Sequence, residues 1–368
     1  MKHAKRLILL SVMVLSATAC DHSGLDDSSC VKFTAAMPSY PDAYETRVSY
    51  SGVLENGKER LDWNLGDRIT IVGTRSDGSS TADYVVSDRP VPYGDRSIAS
   101  ISEAGGATLS WGNGTNDFTA ICPSPNTRIP GGSGTMSTLG FYVSQNEAGA
   151  YIPATQNPVW TGKSGAPRME YAPVMAEAKG LYFTGAVELL FQPAYNAFEF
   201  SFLYDKETPI ELNSFSLSSP TEALSGTYSI AFSSSTGGSS ATSAGVLSVP
   251  TPVLSGTGAN NVVTVPLGMT LGQGEELSFT VFTLPGDHAD LTLSLNTNKG
   301  TKSLLLKLKT GDPLVFPSCS KAVIRGLVIP NSPSVSFVTV RIIDGERVVT
   351  DILEPWTTDT EDCILVRQ

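Results

Sequence analysis

Histidine, the most versatile catalytic side chain, is scarce in this chain. Beyond the first few residues the sequence contains only His22 and His288. A multi-histidine metal centre is therefore excluded, and a serine–histidine–aspartate triad would depend on His288 alone. His288 lies in LPGDHADLTL, which is typical of a turn before a strand, so we expect a solvated loop histidine. The sequence has no G-x-S-x-G, P-loop or G-x-G-x-x-G pattern that would indicate another reaction.

The acidic residues do not form a recognisable site. Paired acids occur at Asp26-Asp27 and between Asp359 and Asp362, near the two ends of the chain, where a solvated surface role is expected. Two glycosidase carboxylates have no local signature that a single sequence would reveal. We predict no catalytic residue, no metal site and no cofactor, and this favours a binding or structural role over an enzyme.

Four cysteines follow Cys20, and their spacing leaves their state open. They are far apart and have no C-x-x-C spacing, so a zinc site is not expected. In an exported protein they could form two disulfides, with three alternative connectivities, or remain as four separately buried thiols. The four cysteines are Cys30, Cys122, Cys319 and Cys363.

The N-terminus has the pattern of an export signal. Three basic residues within the first six are followed by an apolar run at residues 7–15, which is too short to span a membrane. Small residues then precede Cys20, as in a bacterial lipoprotein signal, in which the cysteine is acylated and becomes the new N-terminus. We predict a signal peptide over residues 1–19 and a lipid on Cys20. The alternative is ordinary cleavage that leaves Cys20 free.

Composition narrows the class of protein. The 368 residues carry a formal net charge of −11 without any cluster of Lys and Arg. This argues against nucleic acid as a partner, because phosphate binding requires concentrated positive charge. The 34 Gly and 23 Pro indicate many turns and few helices. The length suggests two domains.

Alternating apolar residues predict strands. In NAFEFSFLY, residues Phe198, Phe200 and Phe202 fall on one face, and EELSFTVFTL alternates in the same way. LTLSLNTNKGTKSLLLKLK predicts a hairpin that turns at Asn298 to Gly300, and FVTVRIIDGERVVTDIL predicts another that turns at Asp344-Gly345. Residues 233–245 are too polar to bury and predict a flexible loop. The fold class is all-β, with two β-sandwiches in series.

One segment resembles a known family. Residues 45–73, ETRVSYSGVLENGKERLDWNLGDRITIVG, are similar to the fimbrillin family, which comprises pilus subunits and related surface lipoproteins of anaerobic gut and oral bacteria. The similar residues are Thr46-Arg47, Ser49, Trp63, Gly66-Asp67 and Ile69. Further similar segments follow in family order: DFTAICPS (117–124), IPATQ (152–156), YAPVMAEA (171–178) and ALSGTYSI (223–230). The residues themselves predict a core anchor at Trp63 and a turn at Gly66-Asp67.

The resemblance implies two transthyretin-like β-sandwich domains, at residues 48–180 and 181–334, followed by a C-terminal hairpin or tail at 335–368. It also implies assembly by strand exchange, in which a protease cuts after an arginine and a strand from another pilin subunit replaces the first strand. Arg47 is the candidate for this cut, and the alternative is a solvated arginine on an early strand that is never cleaved. Residues 20–47 would then be a leader, and the segment SCVKFTAAM (29–37) within it would be the strand that is removed.

The leading hypothesis is a fimbrillin-like lipoprotein of the bacterial outer membrane, held through the lipid on Cys20. It would be a structural or adhesive pilus subunit, and the self-paired C-terminal hairpin favours a tip or accessory position over the shaft. Host or bacterial surface ligands are expected partners. The alternative is a surface lipoprotein that does not polymerise and binds glycans, with Trp111 or Trp160 as stacking platforms.

Overall fold

The computed structural model describes residues 30–37, 49–55, 58–93, 96–183, 186–232, 253–254, 259–306, 314–329, 338–343, 348–351 and 357–358. These residues form strands joined by turns, with 3₁₀ turns at Met136–Leu139 and Met169–Tyr171. The predicted all-β class is therefore confirmed for the described part of the chain. No helix among these residues is long and apolar enough to cross a membrane. The predicted loop at 233–245 lies outside them.

The first half of the chain contributes fifteen of the described strands. They are β1 (Lys32–Met37), β2 (Ser49–Glu55), β3 (Lys58–Asp62), β4 (Arg68–Arg75), β5 (Gly78–Val86), β6 (Val91–Tyr93), β7 (Arg96–Glu103), β8 (Asn116–Cys122), β9 (Tyr142–Val143), β10 (Glu147–Ile152), β11 (Val159–Thr161), β12 (Ser164–Ala166), β13 (Val174–Leu181), β14 (Ala186–Leu190) and β15 (Gln192–Pro193).

The second half contributes the remaining described strands. They are β16 (Asn196–Leu203), β17 (Ile210–Ser218), β18 (Gly226–Ala231), β19 (Val253–Leu254), β20 (Val262–Leu271), β21 (Glu276–Thr283), β22 (Thr292–Thr297), β23 (Gly300–Leu305), β24 (Lys321–Val328), β25 (Val338–Ile343), β26 (Val348–Asp351) and β27 (Thr357–Thr358).

The strands form two pairs of larger sheets. A nine-stranded sheet runs β14-β1-β7-β5-β4-β8-β13-β15, with β6 on β7, and a four-stranded sheet runs β19-β18-β10-β9. Both contribute to one hydrophobic cluster, to which β10 and β18 add Ala150, Tyr228 and Ile230. A seven-stranded sheet, β11-β12-β21-β16-β24-β25-β26, and a five-stranded sheet, β20-β17-β22-β23-β27, supply a second cluster. Strands β2 and β3 pair separately.

The second cluster is built on the predicted aromatic strand. Phe198, Phe200 and Phe202 of β16 are fully buried and belong to this cluster, as the alternation predicted. The ring of Phe200 lies 4.8 Å from that of Phe215 on β17, in the opposite sheet. Aromatic pairs at this distance add stabilisation beyond the area they bury.

The two clusters meet at the ends of β16 and β21. Ala197 and Phe282 belong to the first cluster, although their strands mainly face the second. The buried amide of Gln156 links them further, because its Nε2 donates to the Phe282 carbonyl at 2.7 Å and its Oε1 accepts from the Phe282 N–H at 2.9 Å. The domain division between residues 180 and 181 stays a prediction; the first cluster includes residues on both sides of it.

The predicted turns and anchors agree with the structure where they are described. Thr297 pairs with Gly300 across the predicted β22–β23 hairpin. Trp63 is 2% exposed, and its ring lies 5.0 Å from that of Phe191, which confirms the predicted core anchor. The C-terminal hairpin is also confirmed, because β25 pairs with β26 in antiparallel register. Its turn at Asp344-Gly345 lies outside the described residues.

We expect Phe200→Ala to lower the free energy of unfolding by about 3–5 kcal/mol, since it removes a fully buried ring from a tightly packed core. Urea denaturation followed by circular dichroism measures this change. Leu203→Ala, at a side chain that is 38% exposed on the same strand, is the control and should cost less than about 1 kcal/mol. Equal losses for the two variants would contradict the assignment of the core face of β16.

Candidate functional site

Strand β1, the first described strand, occupies an interior place in the nine-stranded sheet. It pairs in parallel with β14, where Phe33 lies opposite Val187, and in antiparallel register with β7, where Ala35 lies opposite Ala99. The prediction that residues 29–37 contain a strand is therefore confirmed. Because both edges of β1 are used, its removal would leave unpaired backbone groups on two neighbouring strands.

One face of β1 fills the first hydrophobic cluster. Val31, Phe33 and Ala35 alternate along the strand and are all at most 5% exposed. The ring of Phe33 lies 5.2 Å from the rings of both Tyr84 and Phe118, in edge-to-face contact with each. Burial of such a side chain stabilises the fold by about 1.5–3 kcal/mol. Phe33 is therefore the side chain that holds β1 against the first hydrophobic cluster.

Main-chain contacts hold both ends of the strand. The Val31 N–H donates to the Leu109 carbonyl at 2.9 Å, and Cys30 forms an isolated bridge with Ser110. At the other end the Phe191 N–H donates to the Ala36 carbonyl at 2.8 Å. We call the surface of β7, β14, Tyr84 and Phe118 that receives this strand the β1 seat.

Sequence reasoning identified β1 but not its parallel neighbour. β14 follows β13 after a short connection, and its Val187 and Leu189 are buried in the first cluster. Their period-two spacing is the signal that would have predicted a strand there. Nothing local in the sequence indicates that this strand lies beside residues 32–36, because the pairing joins segments that are distant along the chain.

Arg47 and Cys20 lie outside the described residues. Cleavage after Arg47 and lipidation of Cys20 therefore stay predictions. The chain between β1 and β2, residues 38–48, contains Arg47 and connects the seated strand to the rest of the first half.

The structure describes three of the four cysteines, and no disulfide joins any two of them. Both alternatives, two disulfides and four separate thiols, stay predictions. The three lie apart: Cys30 is half-buried before β1, Cys122 is buried at the end of β8, and Cys319 is half-buried before β24. Cys363 lies outside the described residues.

The two candidate stacking tryptophans lie in different parts of the structure. Trp111 is half-buried against the first cluster, and its ring contacts Phe118 at 5.6 Å and Phe183 at 5.5 Å. Trp160 is half-buried against the second cluster, with its ring 6.0 Å from that of Phe279. Each ring already packs on its own core, and the structure does not bring the two together. A role in glycan stacking stays a prediction.

The expectation that His288 is solvated is wrong. Its side chain is 3% exposed, and its Nδ1 lies 2.8 Å from Glu222 Oε2. Its Nε2 lies 2.8 Å from the Leu284 carbonyl oxygen and 3.1 Å from the Thr283 hydroxyl. These contacts join the segment after β21 to the loop that contains Glu222, and the His288 main chain also pairs with Phe316, so His288 is a buried residue that connects three segments. Among the described residues no group of three or more His, Cys, Asp or Glu is placed to hold a metal ion.

A scan against protein-family models finds no match, and a search of curated proteins finds none. Among solved structures, the chain is similar to a candidate cell adhesion protein of Bacteroides uniformis, with 14% identity, 88% of this chain and 100% of that chain covered, and a TM-score of 0.46. A fimbrial assembly protein of Parabacteroides distasonis gives 11% identity, coverage of 87% and 98%, and a TM-score of 0.39. The C-terminally truncated tip fimbrial protein Mfa3 of Porphyromonas gingivalis has 11% identity to this chain and a TM-score of 0.37, with 84% of this chain and 99% of that chain covered.

Phe33→Ala should lower the free energy of unfolding by about 3–5 kcal/mol, because it empties the aromatic contact that seats β1. Lys32→Ala changes an exposed residue on the opposite face and should stay within about 0.5 kcal/mol of the parent. Urea unfolding of both variants tests this. If the Lys32 variant lost as much stability as the Phe33 variant, the core face of β1 would be misassigned.

Cys319 provides a pH-dependent prediction. Burial raises the pKa of its thiol from 9.0 to about 11, against a smaller lowering by the Ser318 hydroxyl. At pH 8 only about one molecule in a thousand carries the reactive thiolate at this position. We expect iodoacetamide to leave Cys319 unmodified in the folded protein over a time that alkylates it fully in urea, as measured by peptide mass spectrometry. Comparable rates in the two conditions would contradict the prediction.

The same thiol makes the stability depend on pH in a defined direction. Between pH 9 and about 11 the unfolded chain releases this proton while the folded chain keeps it. The unfolded state then binds fewer protons, so the contribution of Cys319 to stability decreases as the pH rises through this window. A Cys319→Ala variant should lack this component of the pH dependence.

Proposed function

We propose that this protein is a fimbrillin-like surface lipoprotein, a structural or adhesive subunit of a pilus that assembles by strand exchange. The observation that carries the proposal is the β1 seat. A single strand near the start of the chain fills an interior position of a sheet, and the segment that follows it contains Arg47, the candidate cleavage site. The fimbrillin-like segments of the sequence support the same assignment.

The proposed maturation has three steps. Lipid on Cys20 first holds the precursor at the outer membrane. Cleavage after Arg47 then separates β1 from β2. Release of β1 exposes the backbone edges of β7 and β14 together with Tyr84 and Phe118, and a strand of another pilin subunit fills the seat by β-augmentation. A donor strand with the orientation of β1 would restore the parallel and the antiparallel pairing at once.

The C-terminal segment supports a tip or accessory position. Strand β25 pairs with β24 of the same chain, and β26 completes the hairpin. Strand β27 pairs with β23, in the sheet on the other side of the second cluster. A segment that is used inside its own subunit is not free to act as the donor for a neighbour. A shaft subunit needs both a seat and a donor, whereas a terminal subunit needs only one of them.

Limited digestion with an arginine-specific protease tests the strand-exchange mechanism. In the mature chain, cleavage should occur first after Arg47, giving a new N-terminus at Val48 that mass spectrometry identifies. The nicked protein, incubated with a labelled peptide of residues 29–37, should exchange its β1 fragment for the peptide, because the peptide restores the same pairings. Binding is measured by native mass spectrometry and by the recovery of thermal stability.

Two controls make the result specific. Arg47→Gln should resist the cut and take up no peptide, while its fold stays intact. A peptide carrying Phe33→Asp should fail to bind the nicked protein, because a carboxylate cannot occupy the aromatic contact. Resistance of Arg47 in the folded wild-type protein, or equal uptake of both peptides, would argue against strand exchange at β1.

A further inference from the structure

Two exposed aromatic side chains lie at one end of the nine-stranded sheet, where β13 ends. Tyr182 and Phe183 are 61% and 56% exposed, and among the described residues they are the only two exposed large hydrophobic side chains that are adjacent in the sequence. Trp111 is half-buried, and its ring lies 5.5 Å from that of Phe183. We call these three residues the aromatic tip. Contiguous exposed apolar surface of this kind indicates a contact site, and strand exchange at β1 gives it no role.

Hydrogen bonds within the protein hold the aromatic tip in place. Asn116 is fully buried, and its side-chain amide joins the two segments that carry the rings. Its Nδ2 donates to the Leu181 carbonyl at 3.3 Å, directly before Tyr182. Its Oδ1 accepts from the Gly112 N–H at 2.8 Å, directly after Trp111. The segments of the tip are therefore arranged before any partner arrives, and a partner loses little binding free energy in ordering them.

The N-terminal end of β1 lies beside the aromatic tip. Cys30, directly before Val31, forms a bridge with Ser110, and Ser110 directly precedes Trp111. The part of the chain that leads back to Cys20 therefore joins the described structure next to the tip. Cys20 and Cys30 are ten positions apart. Because ten residues span at most about 33–36 Å even when fully extended, a lipid on Cys20 would keep this end of the sheet within that distance of a membrane.

The opposite end of β1 offers a matched surface for comparison. Val91 of β6 is 61% exposed, the same fraction as Tyr182. It pairs with Ile98 of β7, which lies opposite Ala36 near the far end of β1. From Cys30 to Ala36 an extended strand covers about 20 Å. Val91 therefore marks an apolar position at the end of the sheet that the anchor would leave further from the membrane.

The charge of the protein determines which kind of membrane contact is available to it. The formal net charge is −11, so anionic lipid headgroups would repel the chain rather than attract it. Aromatic side chains need no such attraction, because their rings partition into the boundary between the headgroups and the acyl chains. The contact that fits this protein is therefore apolar, and a zwitterionic bilayer is the surface that suits it.

We propose that the aromatic tip inserts into the surface of the lipid bilayer in which the lipid on Cys20 is anchored. The inference rests on the lipidation that is part of the proposed function. A single lipid leaves the protein free to rotate about its tether, whereas a second contact fixes which end faces the membrane. Two exposed side chains bind a bilayer weakly from free solution, but the anchor makes their insertion an intramolecular step.

Fluorescence quenching by brominated lipids tests the proposal. The mature chain starts with Cys20, so a phospholipid thioester can be joined to this N-terminal cysteine by native ligation, and the product is inserted into phosphatidylcholine vesicles with or without bromine on the acyl chains. The protein has four Trp residues, and the emission that Trp111→Phe removes is the contribution of Trp111. This contribution should be about twofold lower in the brominated vesicles. The contribution of Trp160, obtained from Trp160→Phe, should be equal in both.

Variants of the exposed side chains make the test specific. Tyr182→Ser combined with Phe183→Ser should abolish the quenching of Trp111, whereas Val91→Ser, at an equally exposed position, should preserve it. If the double variant does not fold, Tyr182→Ser decides alone and should reduce the quenching by about half, since one of the two exposed rings remains. Absence of quenching in the parent, equal quenching of Trp160, or unchanged quenching in the Tyr182 variants overturns the proposal.

The outcome of this experiment can be told apart from that of the proposed function. Because the lipid is attached chemically, the quenching does not depend on lipidation in cells or on cleavage after Arg47. Absence of quenching overturns membrane contact by the tip and leaves lipidation and strand exchange unaffected. The intact mass of the protein isolated from its cells tests the anchor itself. An unmodified Cys20 there would overturn the anchor, and membrane contact in cells with it, even if the ligated protein showed quenching.

Discussion

The edge-to-face contact of Phe33 with Tyr84 and Phe118 is the interaction on which the first half of the structure depends. Tyr84 belongs to β5 and Phe118 to β8, so one ring on β1 joins strands that are otherwise separated in the sheet. Because β1 also uses both of its backbone edges, removal of the strand would abolish side-chain packing and hydrogen bonding together. The resulting surface is apolar at its centre and unpaired at its rims, which is the requirement for accepting another strand.

The second half is organised differently, and this gives the protein two unequal parts. Its core is a ladder of aromatic rings on β16 and β21, closed by β17 from the facing sheet. Gln156 attaches the first half to β21 by two hydrogen bonds to one residue, in the manner of a short strand pairing. Exchange of β1 would therefore reorganise one core while the other, with its C-terminal hairpin, remains as a fixed body.

Features that depend on neighbouring residues could be predicted from the sequence. The alternation of Phe198, Phe200 and Phe202 predicted the buried face of β16, and Asn298 to Gly300 predicted a hairpin, because each depends on only a few consecutive residues. The burial of His288 could not be predicted in this way. It depends on Glu222 and on a main-chain pairing with Phe316, both distant in the chain, as well as on the nearby Leu284. A turn-like sequence around a histidine carries no information about the two distant partners.

Only one part of the β1 seat, the strand that occupies it, could be predicted from the sequence. The alternation of its apolar residues predicted β1, but its place between β7 and β14 depends on pairing with segments that are distant in the chain. The proximity of residues 66–68, Cys122-Pro123 and residues 169–172 could not be predicted for the same reason, since these three segments lie far apart in the chain. The family-like segments at 117–124 and 171–178 contain β8 and the start of β13, and only the fold shows that these two strands pair.

The parallel pairing of β1 with β14 has a consequence for the order of events during biosynthesis. During synthesis Phe33 is made long before Val187, which lies opposite it in the finished sheet. Until residues 186–190 emerge, β1 has at most one neighbour, and loops closed over so many residues form slowly. Strand β1 is therefore synthesised early but is among the last strands to complete its pairing. For a period set by the length of the chain, β1 is therefore not yet enclosed by strands on both sides.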